Sequence, residues 1–313
     1  MRLLFTMFLL LLAVCAHAAT PHVWLDTDRG SIVLELDPAR APLTTTHFLA
    51  IVDEGFYNNL VFHRTIPNFV IQAGRVDANG NQRQRNTTVA SESGNGLRNV
   101  PGTIALALPS ANGQTNRNGG TTEFFINTAT NSHLDADFTV FGRVVFGMRT
   151  VNAIGNGTTY SNSFPVRPAL IRRAVKSDGF PIMNLHTGAW YDPAKGGRGI
   201  SLEVAHAAGA EDGNPLLVVY WYDYFEGRQI WMTGAASFRY GDAEVSVPLT
   251  LTEGGQFGAA YQPSQVRPTQ DFGRLTVRFS GCNAGVFRYT TGYGNGEMNL
   301  VRLTVPGGER CAD

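Results

Sequence analysis

The run from Phe62 to Gly74 sets a guanidinium (Arg64), an aromatic ring (Phe69) and a side-chain amide (Gln72) along one short, strand-rich segment. Further on comes a second apolar run, Glu123-Phe124-Phe125-Ile126-Asn127. These residue types point away from bond-breaking chemistry. A guanidinium is permanently charged and offers five N–H donors in a fixed fork, so it donates hydrogen bonds and does not act as a base. Phe69, Val70, Phe125 and Leu134 can wall an apolar pocket, and Gln72 offers both a donor and an acceptor to a peptide backbone.

Such a set suits rotation about a peptide bond. That rotation faces a barrier of about 18–20 kcal/mol because resonance must be broken. At an X–Pro bond the two isomers lie close in energy, yet they exchange over tens to hundreds of seconds. A catalyst needs a hollow for the pyrrolidine ring, an anchor for the flanking backbone and a donor aimed at the prolyl nitrogen. That nitrogen regains its lone pair as the amide twists. A donor placed there binds the twisted state better than either planar one, and each ~1.4 kcal/mol of the difference is tenfold in rate.

Arg64 and Gln72 are evenly spaced, but Pro67 and Asn68 interrupt the alternation, so the sequence leaves open whether they share a face. His63 invites a general-base reading. Bond rotation needs no proton transfer, and an inward strand histidine is expected to be structural. Asp135 and Asp137 read as residues of a loop between Leu134 and Phe138 rather than as paired carboxylates. Asn118-Gly119-Gly120-Thr121 lacks the Gly-Lys-Ser/Thr ending of a phosphate loop, and the histidines show no metal-ligand spacing. No metal and no cofactor is expected.

The elements that must position these groups follow from pattern. Residues 22–27 and 31–36 read as strands joined by an Asp28-Arg29-Gly30 turn. Residues 41–54 read as a helix, with Pro42 in its first turn, Phe48, Ile51 and Val52 on one face, and Gly55 as its stop. Residues 61–63, 68–73, 103–108, 123–127, 139–144 and 169–175 read as strands, and 148–154 as the start of a second short helix. Residues 75–101 are polar and read as a long surface excursion, and 109–121 as a Gly/Asn-rich loop.

Residues 21–176 resemble the cyclophilin-type peptidyl-prolyl isomerases. The likeness rests on Phe62-His63-Arg64, Phe69, Gln72 and Phe124-Phe125-Ile126. Asn95-Gly96-Leu97-Arg98-Asn99 and Gly102-Thr103-Ile104-Ala105 look most like the exported bacterial branch. The resemblance implies a mainly β fold, a cyclophilin-like closed antiparallel β-barrel with two helices. It implies Arg64 as the catalytic residue, with Phe69, Val70, Gln72, Ala107, Glu123, Phe125, His133, Leu134 and Phe138 lining the substrate site. The implied partners are proline-containing unfolded or extended polypeptides.

Four positions depart from the family pattern. Val70 stands where Met is usual; it is smaller and stiffer, and a looser proline pocket is expected from it. His133 replaces Trp or Phe with a more polar ring, and Phe138 replaces His or Tyr and loses a polar contact. Glu123 stands where Gln is usual; a carboxylate only accepts hydrogen bonds, whereas an amide also donates. Glu123 is expected to lie near Arg64, orienting it or occupying part of its donors, unless it is a tolerated near-isostere. With Val70 it leaves open a second reading, a weakly active or inactive module that binds proline-containing segments.

At 313 residues the chain is long enough for two domains, and its 43% hydrophobic content is ample for two cores. Equal counts of 25 basic and 25 acidic residues give no sign of a nucleic-acid partner. Residues 1–18 read as a signal peptide: Arg2, an apolar run from Leu3 to Val14 too short to span a bilayer, and Ala16-His17-Ala18, with cleavage expected after Ala18. Val14 is too large to precede a lipidated Cys15. The expected destination is the periplasm or the medium, with no transmembrane span. Cys282 and Cys311 then form an even pair in an oxidising compartment and are expected to form a disulfide, with two free thiols as the alternative.

The isomerase-like part is expected over 19–176 and an accessory all-β domain, barrel or sandwich, over 177–313. In the latter, apolar segments alternate with Gly-containing turns. Trp190-Tyr191-Asp192-Pro193, Gly197-Arg198-Gly199-Ile200 and Tyr220-Trp221-Tyr222-Asp223-Tyr224 are similar to Trp/Tyr/Gly-rich β modules of secreted bacterial proteins. Period-2 spacing puts Tyr220, Tyr222 and Tyr224 on one face and Trp221 on the other. Rings with an apolar body and a polar edge suit sugars and extended peptides, so a cell-envelope or carbohydrate ligand is weighed against plain core and turn packing.

Overall fold

The computed structural model describes residues 20–210 and 213–306. Two expectations fall outside that range. Residues 1–18 are not described, and the Cys282–Cys311 pairing needs a residue, Cys311, that is not described.

Strands β1 (His22–Thr27) and β2 (Gly30–Leu36) form a hairpin closed by Thr27 Oγ1, which donates to Gly30 O at 2.6 Å; Gly30 sits at φ +127°, where side chains are disfavoured. Helix α1 (Pro42–Asp53) buries Phe48, Ile51 and Val52. Its orphan N–H groups are satisfied from a distance: Glu92, in the polar excursion, accepts from Leu43 N (2.9 Å) and Thr44 N (2.8 Å). Then follow β3 (Leu60–Val61), β4 (Arg64–Ile66), β5 (Val70–Ala73), β6 (Thr103–Leu106), the small hairpin β7 (Ser110–Ala111) and β8 (Gln114–Thr115), β9 (Phe124–Asn127), β10 (Val140–Phe146), α2 (Met148–Gly155) and β11 (Leu170–Ser177).

Among the described residues, nine of these strands make one antiparallel sheet in the order β3-β11-β1-β2-β10-β6-β9-β5-β4. The expected closed barrel over 19–176 is corrected: the sheet is a curled half-barrel whose end strands β3 and β4 do not pair. Val61 N donates to Val76 O beyond the end of β5, so the curl nearly meets itself there. One core fills its inside, with Ile32, Leu34, Phe48, Phe62, Phe124 and Phe141 all buried.

The later residues settle the alternative between barrel and sandwich. Strands β12 (Gly188–Tyr191), β13 (Gly199–Ala205), β14 (Leu216–Phe225), β15 (Arg228–Ser237), β16 (Glu244–Gly254), β17 (Val266–Phe279), β18 (Ala284–Thr291) and β19 (Gly294–Arg302) form a closed eight-stranded barrel. Closure comes from β19 returning to β12, with Trp190 opposite Arg302. Inward residues alternate, as Val245, Val247, Leu249 and Leu251 do along β16. The barrel's core cluster continues into Trp24, Val33 and Phe146 of the first sheet, and the Arg173 guanidinium lies 3.7 Å from the Tyr240 ring centroid.

His186 sits in that core, fully buried and stacked on Phe279 at 3.7 Å. Its Nδ1 accepts from Met183 N (3.0 Å) and its Nε2 lies 3.3 Å from Gly281 O, which fits the neutral ring carrying its proton on Nε2. Burial, with Arg302 adding to it, pushes the ring down to about 3, against the Gly281 carbonyl, which favours the charged form. The unfolded chain therefore binds a proton at His186 between about pH 6.5 and 3 that the folded chain refuses, so stability falls as pH drops through that window. Urea unfolding followed by tryptophan fluorescence should lose about 1.4 kcal/mol per pH unit there from this residue, and the slope should flatten in His186→Gln.

Candidate active site

Strands β4 and β5 are joined through Pro67 and Asn68. Asn68 takes φ +56°, a left-handed conformation that asparagine tolerates better than most residues. In the resulting pair Arg64 stands opposite Gln72, Thr65 opposite Ile71 and Ile66 opposite Val70. Facing residues share a side of the sheet, so the question left open by the interrupted alternation is answered: Arg64 and Gln72 lie together. The same row continues strand by strand, from Gln72 to Phe125, Phe125 to Ala105 and Ala105 to Val140.

Val70, Ala105, Phe125 and Val140 form an apolar cluster on the side of the sheet away from the main core. Phe69, Leu97, Ala107, Leu134 and Phe138 pack against it. Phe138 meets Phe125 edge to face at 5.6 Å, His133 stacks on Phe69 at 5.8 Å, and the Arg64 guanidinium lies 5.9 Å from the Phe69 ring centroid. All ten expected site residues thus converge on this hollow or its polar edge. Val70 is buried, and His133 is exposed at the rim.

The polar edge is a chain of side chains. Arg64 Nη1 donates to Gln72 Oε1 (3.2 Å), and Gln72 Nε2 donates to Glu123 Oε2 (2.8 Å). His63 Nε2 lies 3.2 Å from that same carboxylate oxygen, and Arg75 Nε lies 3.5 Å from the other. Glu123 therefore does lie near Arg64, but it reaches it through Gln72; no direct hydrogen bond or ion pair links the two. Partial burial lowers Arg64 below the usual guanidinium range, and the Glu123 charge works against that. Burial raises the Glu123 carboxyl, but His63, Arg75 and Gln72 outweigh it and hold it below the ordinary carboxylate value. His63 is buried, with no partner on Nδ1, which suits a packed residue. Asp135 accepts from Asn99 N (2.7 Å) and Asp137 from Arg117 Nε (2.6 Å), so they do not work as a carboxylate pair.

Comparison with known proteins agrees with this geometry. The sequence profile of the cyclophilin type peptidyl-prolyl cis-trans isomerases matches residues 22–176. "Peptidyl-prolyl cis-trans isomerase A" of Dickeya dadantii is 40% identical over 171 residues, 51% of this chain and 87% of that protein. A peptidyl-prolyl cis-trans isomerase of Acinetobacter baylyi is 35% identical over 182 residues, 56% of this chain and 93% of that protein. A cyclophilin-type isomerase of Cryptosporidium parvum, solved also in the presence of the dipeptide Ala-Pro, covers half of this chain at 24% identity with a TM-score of 0.42 in that complex. The chain belongs to the cyclophilin-type peptidyl-prolyl cis-trans isomerase family. Its function is peptidyl-prolyl cis-trans isomerisation.

Sequence reasoning missed three contributors. Ala105 and Val140 complete the hollow, and their signal was present: they occupy alternate positions of strands whose other residues are core. Arg75 flanks Glu123 with no motif to announce it. The third is a buried amide network under the rim, in which Asn131 Nδ2 donates to Phe69 O (3.0 Å) and Asn127 Oδ1 (2.8 Å), and Asn127 Nδ2 donates to Asn99 Oδ1 (3.1 Å). It ties the strap carrying His133 and Leu134 to the turn carrying Phe69. Asn131→Ala leaves the buried Asn127 Oδ1 without its donor, while Phe69 O keeps Thr128 N (2.9 Å), and should cost about 1–3 kcal/mol of stability. It should also raise KM for a proline peptide more than it lowers kcat, measured by steady-state isomerase kinetics alongside thermal melts.

Proposed function

We propose that this chain is an exported isomerase that turns X–Pro bonds of envelope or secreted proteins, with Arg64 as its catalytic residue. The observation that carries the assignment is a guanidinium held by Gln72 at the lip of an apolar hollow floored by Phe125. The hollow takes the pyrrolidine ring. Gln72 and Glu123 border the flanking backbone, and the remaining Arg64 N–H groups face the prolyl nitrogen as its lone pair forms. Partial desolvation strengthens that interaction, because a donor in a lower dielectric acts more strongly on developing charge. No proton moves, so the reaction needs no base.

Arg64→Ala should lower kcat/KM at least about a hundredfold, the scale of losing one charged donor used only in the twisted state. The measurement is a protease-coupled or NMR-exchange assay on an Ala-Pro peptide, with circular dichroism to check the fold. Near-normal turnover would remove the assignment. The export reading rests on the Arg2, Leu3–Val14 and Ala16-His17-Ala18 pattern, with the periplasm or medium as destination. It predicts a mature N-terminus at Ala19, read by mass spectrometry of the exported protein; a protein retaining residues 1–18 would contradict it.

The second barrel is proposed to dock the enzyme on cell-envelope carbohydrate. Tyr222 and Trp231 face each other across β14 and β15 with about half of their surface exposed, beside an equally exposed Tyr224. These rings offer flat apolar bodies with polar edges on the outside of the barrel. Sedimentation of the full chain with insoluble cell-wall glycan should weaken about tenfold in Tyr222→Ala/Trp231→Ala, with isomerase activity intact. Equal sedimentation of both proteins argues for surface rings without a ligand.

A further inference from the structure

We propose that Glu123 is a positioning residue of the isomerase reaction: its carboxylate holds the Gln72 amide in the one orientation that presents Oε1 to Arg64, and so aims the guanidinium at the hollow. The proposal rests on the reading of Arg64 as the catalytic residue and adds what aims it.

A glutamine amide has two nearly isosteric orientations, with oxygen and nitrogen exchanged. Gln72 stands between two groups of fixed and opposite character. Arg64 can only donate, and an ionised Glu123 can only accept. Only one orientation serves both, with Oε1 toward Arg64 Nη1 (3.2 Å) and Nε2 toward Glu123 Oε2 (2.8 Å). The flipped amide would set donors against donors on one side and oxygen against carboxylate on the other. A glutamine at 123 carries both a donor and an acceptor and could satisfy either orientation. The carboxylate removes that degeneracy.

Glu123 also stays off Arg64 itself. Its oxygens are met by His63 Nε2 from the segment before β4 (3.2 Å), by Arg75 Nε from the segment after β5 (3.5 Å) and by Gln72 from β5. The titratable and charged groups that face it are therefore His63, Arg75 and, through Gln72, Arg64. Held in this way, the carboxylate orients Gln72 without drawing Arg64 away, so the remaining guanidinium donors keep to the substrate. Protonating Glu123 would turn one acceptor oxygen into a donor and restore the ambiguity. The aim of Arg64 should then loosen at acid pH.

A double-mutant cycle on the full chain tests this, with kcat/KM on an Ala-Pro peptide as readout. Glu123→Leu should lower kcat/KM about tenfold, the scale of one lost charge-assisted hydrogen bond. In a Gln72→Ala background the same change should cost less than about twofold, because there is no amide left to orient. Glu123→Gln keeps an acceptor but restores the ambiguity, so its kcat/KM should fall between those of Glu123→Leu and the wild type, near the level the wild type reaches at acid pH. Equal losses from Glu123→Leu in both backgrounds, no loss at all, or a Glu123→Gln variant as slow as Glu123→Leu would each overturn the proposal. A second measurement needs no variant: on acidification of the wild-type protein, the Gln72 side-chain amide resonance should shift with the same midpoint as the fall in kcat/KM. A resonance that shifts while activity stays level overturns it too. Failure of the underlying Arg64 reading looks different, because Arg64→Ala would then keep full turnover.

Discussion

The chemistry of this molecule hangs on strand register. Arg64, Gln72, Phe125, Ala105 and Val140 form one transverse row across five strands, and every link in it is a cross-strand pair. Nothing in the row chooses its own side. The opposite face carries Ile71, Ala73, Ile104, Phe124, Ile126 and Phe141, all buried in the main core. A slip of one residue in β5 would turn Ile71 outward and Gln72 inward, exposing apolar surface and burying an amide among hydrocarbon. The burial that holds the sheet together therefore also holds the site, and a buried Phe124 is the condition for an outward Phe125.

Placing a guanidinium at an apolar lip works against its solvation. The site meets that demand with an ordered sequence of polar side chains rather than with an opposing charge in direct contact. Gln72 takes one Arg64 N–H, Glu123 lies behind Gln72, and His63 and Arg75 meet the carboxylate. A direct Arg64–carboxylate pair would be stronger in isolation but would spend the donors that the proposed catalytic role of Arg64 calls for. Putting an amide between the charges keeps the field of Glu123 and leaves the fork open.

Much of this was legible in the sequence, and the remainder failed for identifiable reasons. The hairpin at Asp28-Arg29-Gly30, the helix after Pro42 and the strand at residues 123–127 follow from short-range pattern, and they stand where pattern placed them. The site residues came from a long motif whose spacing the fold preserves. Pro67-Asn68 broke the alternation between Arg64 and Gln72, and only the turn geometry, with Asn68 at positive φ, shows that parity survives. Closure of a sheet depends on contacts between its end strands, which no local pattern encodes; hence a half-barrel where a closed one was expected, and a closed barrel where barrel and sandwich were both open. Glu92 at the start of α1 and Asn131 under Phe69 act across 48 and 62 residues of chain, and polar residues in a loop give no sign of such partners.

The outer face of the first sheet also explains how two barrel-like units share one chain without competing. Along β1 and β2, Val23, Leu25, Ile32 and Leu34 point into the first core, while Trp24 and Val33 point out. Left bare, those outward side chains would be an apolar patch on a wet surface. They join the core cluster of the second barrel, with Tyr240 beside Trp24 at 5.8 Å. The hollow lies on the outer face of the same sheet, but on β4, β5, β9, β6 and the start of β10, and none of its cluster residues belongs to the shared cluster. One curled sheet thus divides its outer surface along the strand order: the strands near β1 bury Trp24 and Val33 against the second barrel, and those near β5 keep the hollow proposed for a proline ring. Strengthening the inter-barrel contact therefore adds burial without narrowing the hollow, so the accessory barrel can be held firmly while the reacting end of the sheet stays clear for extended chains.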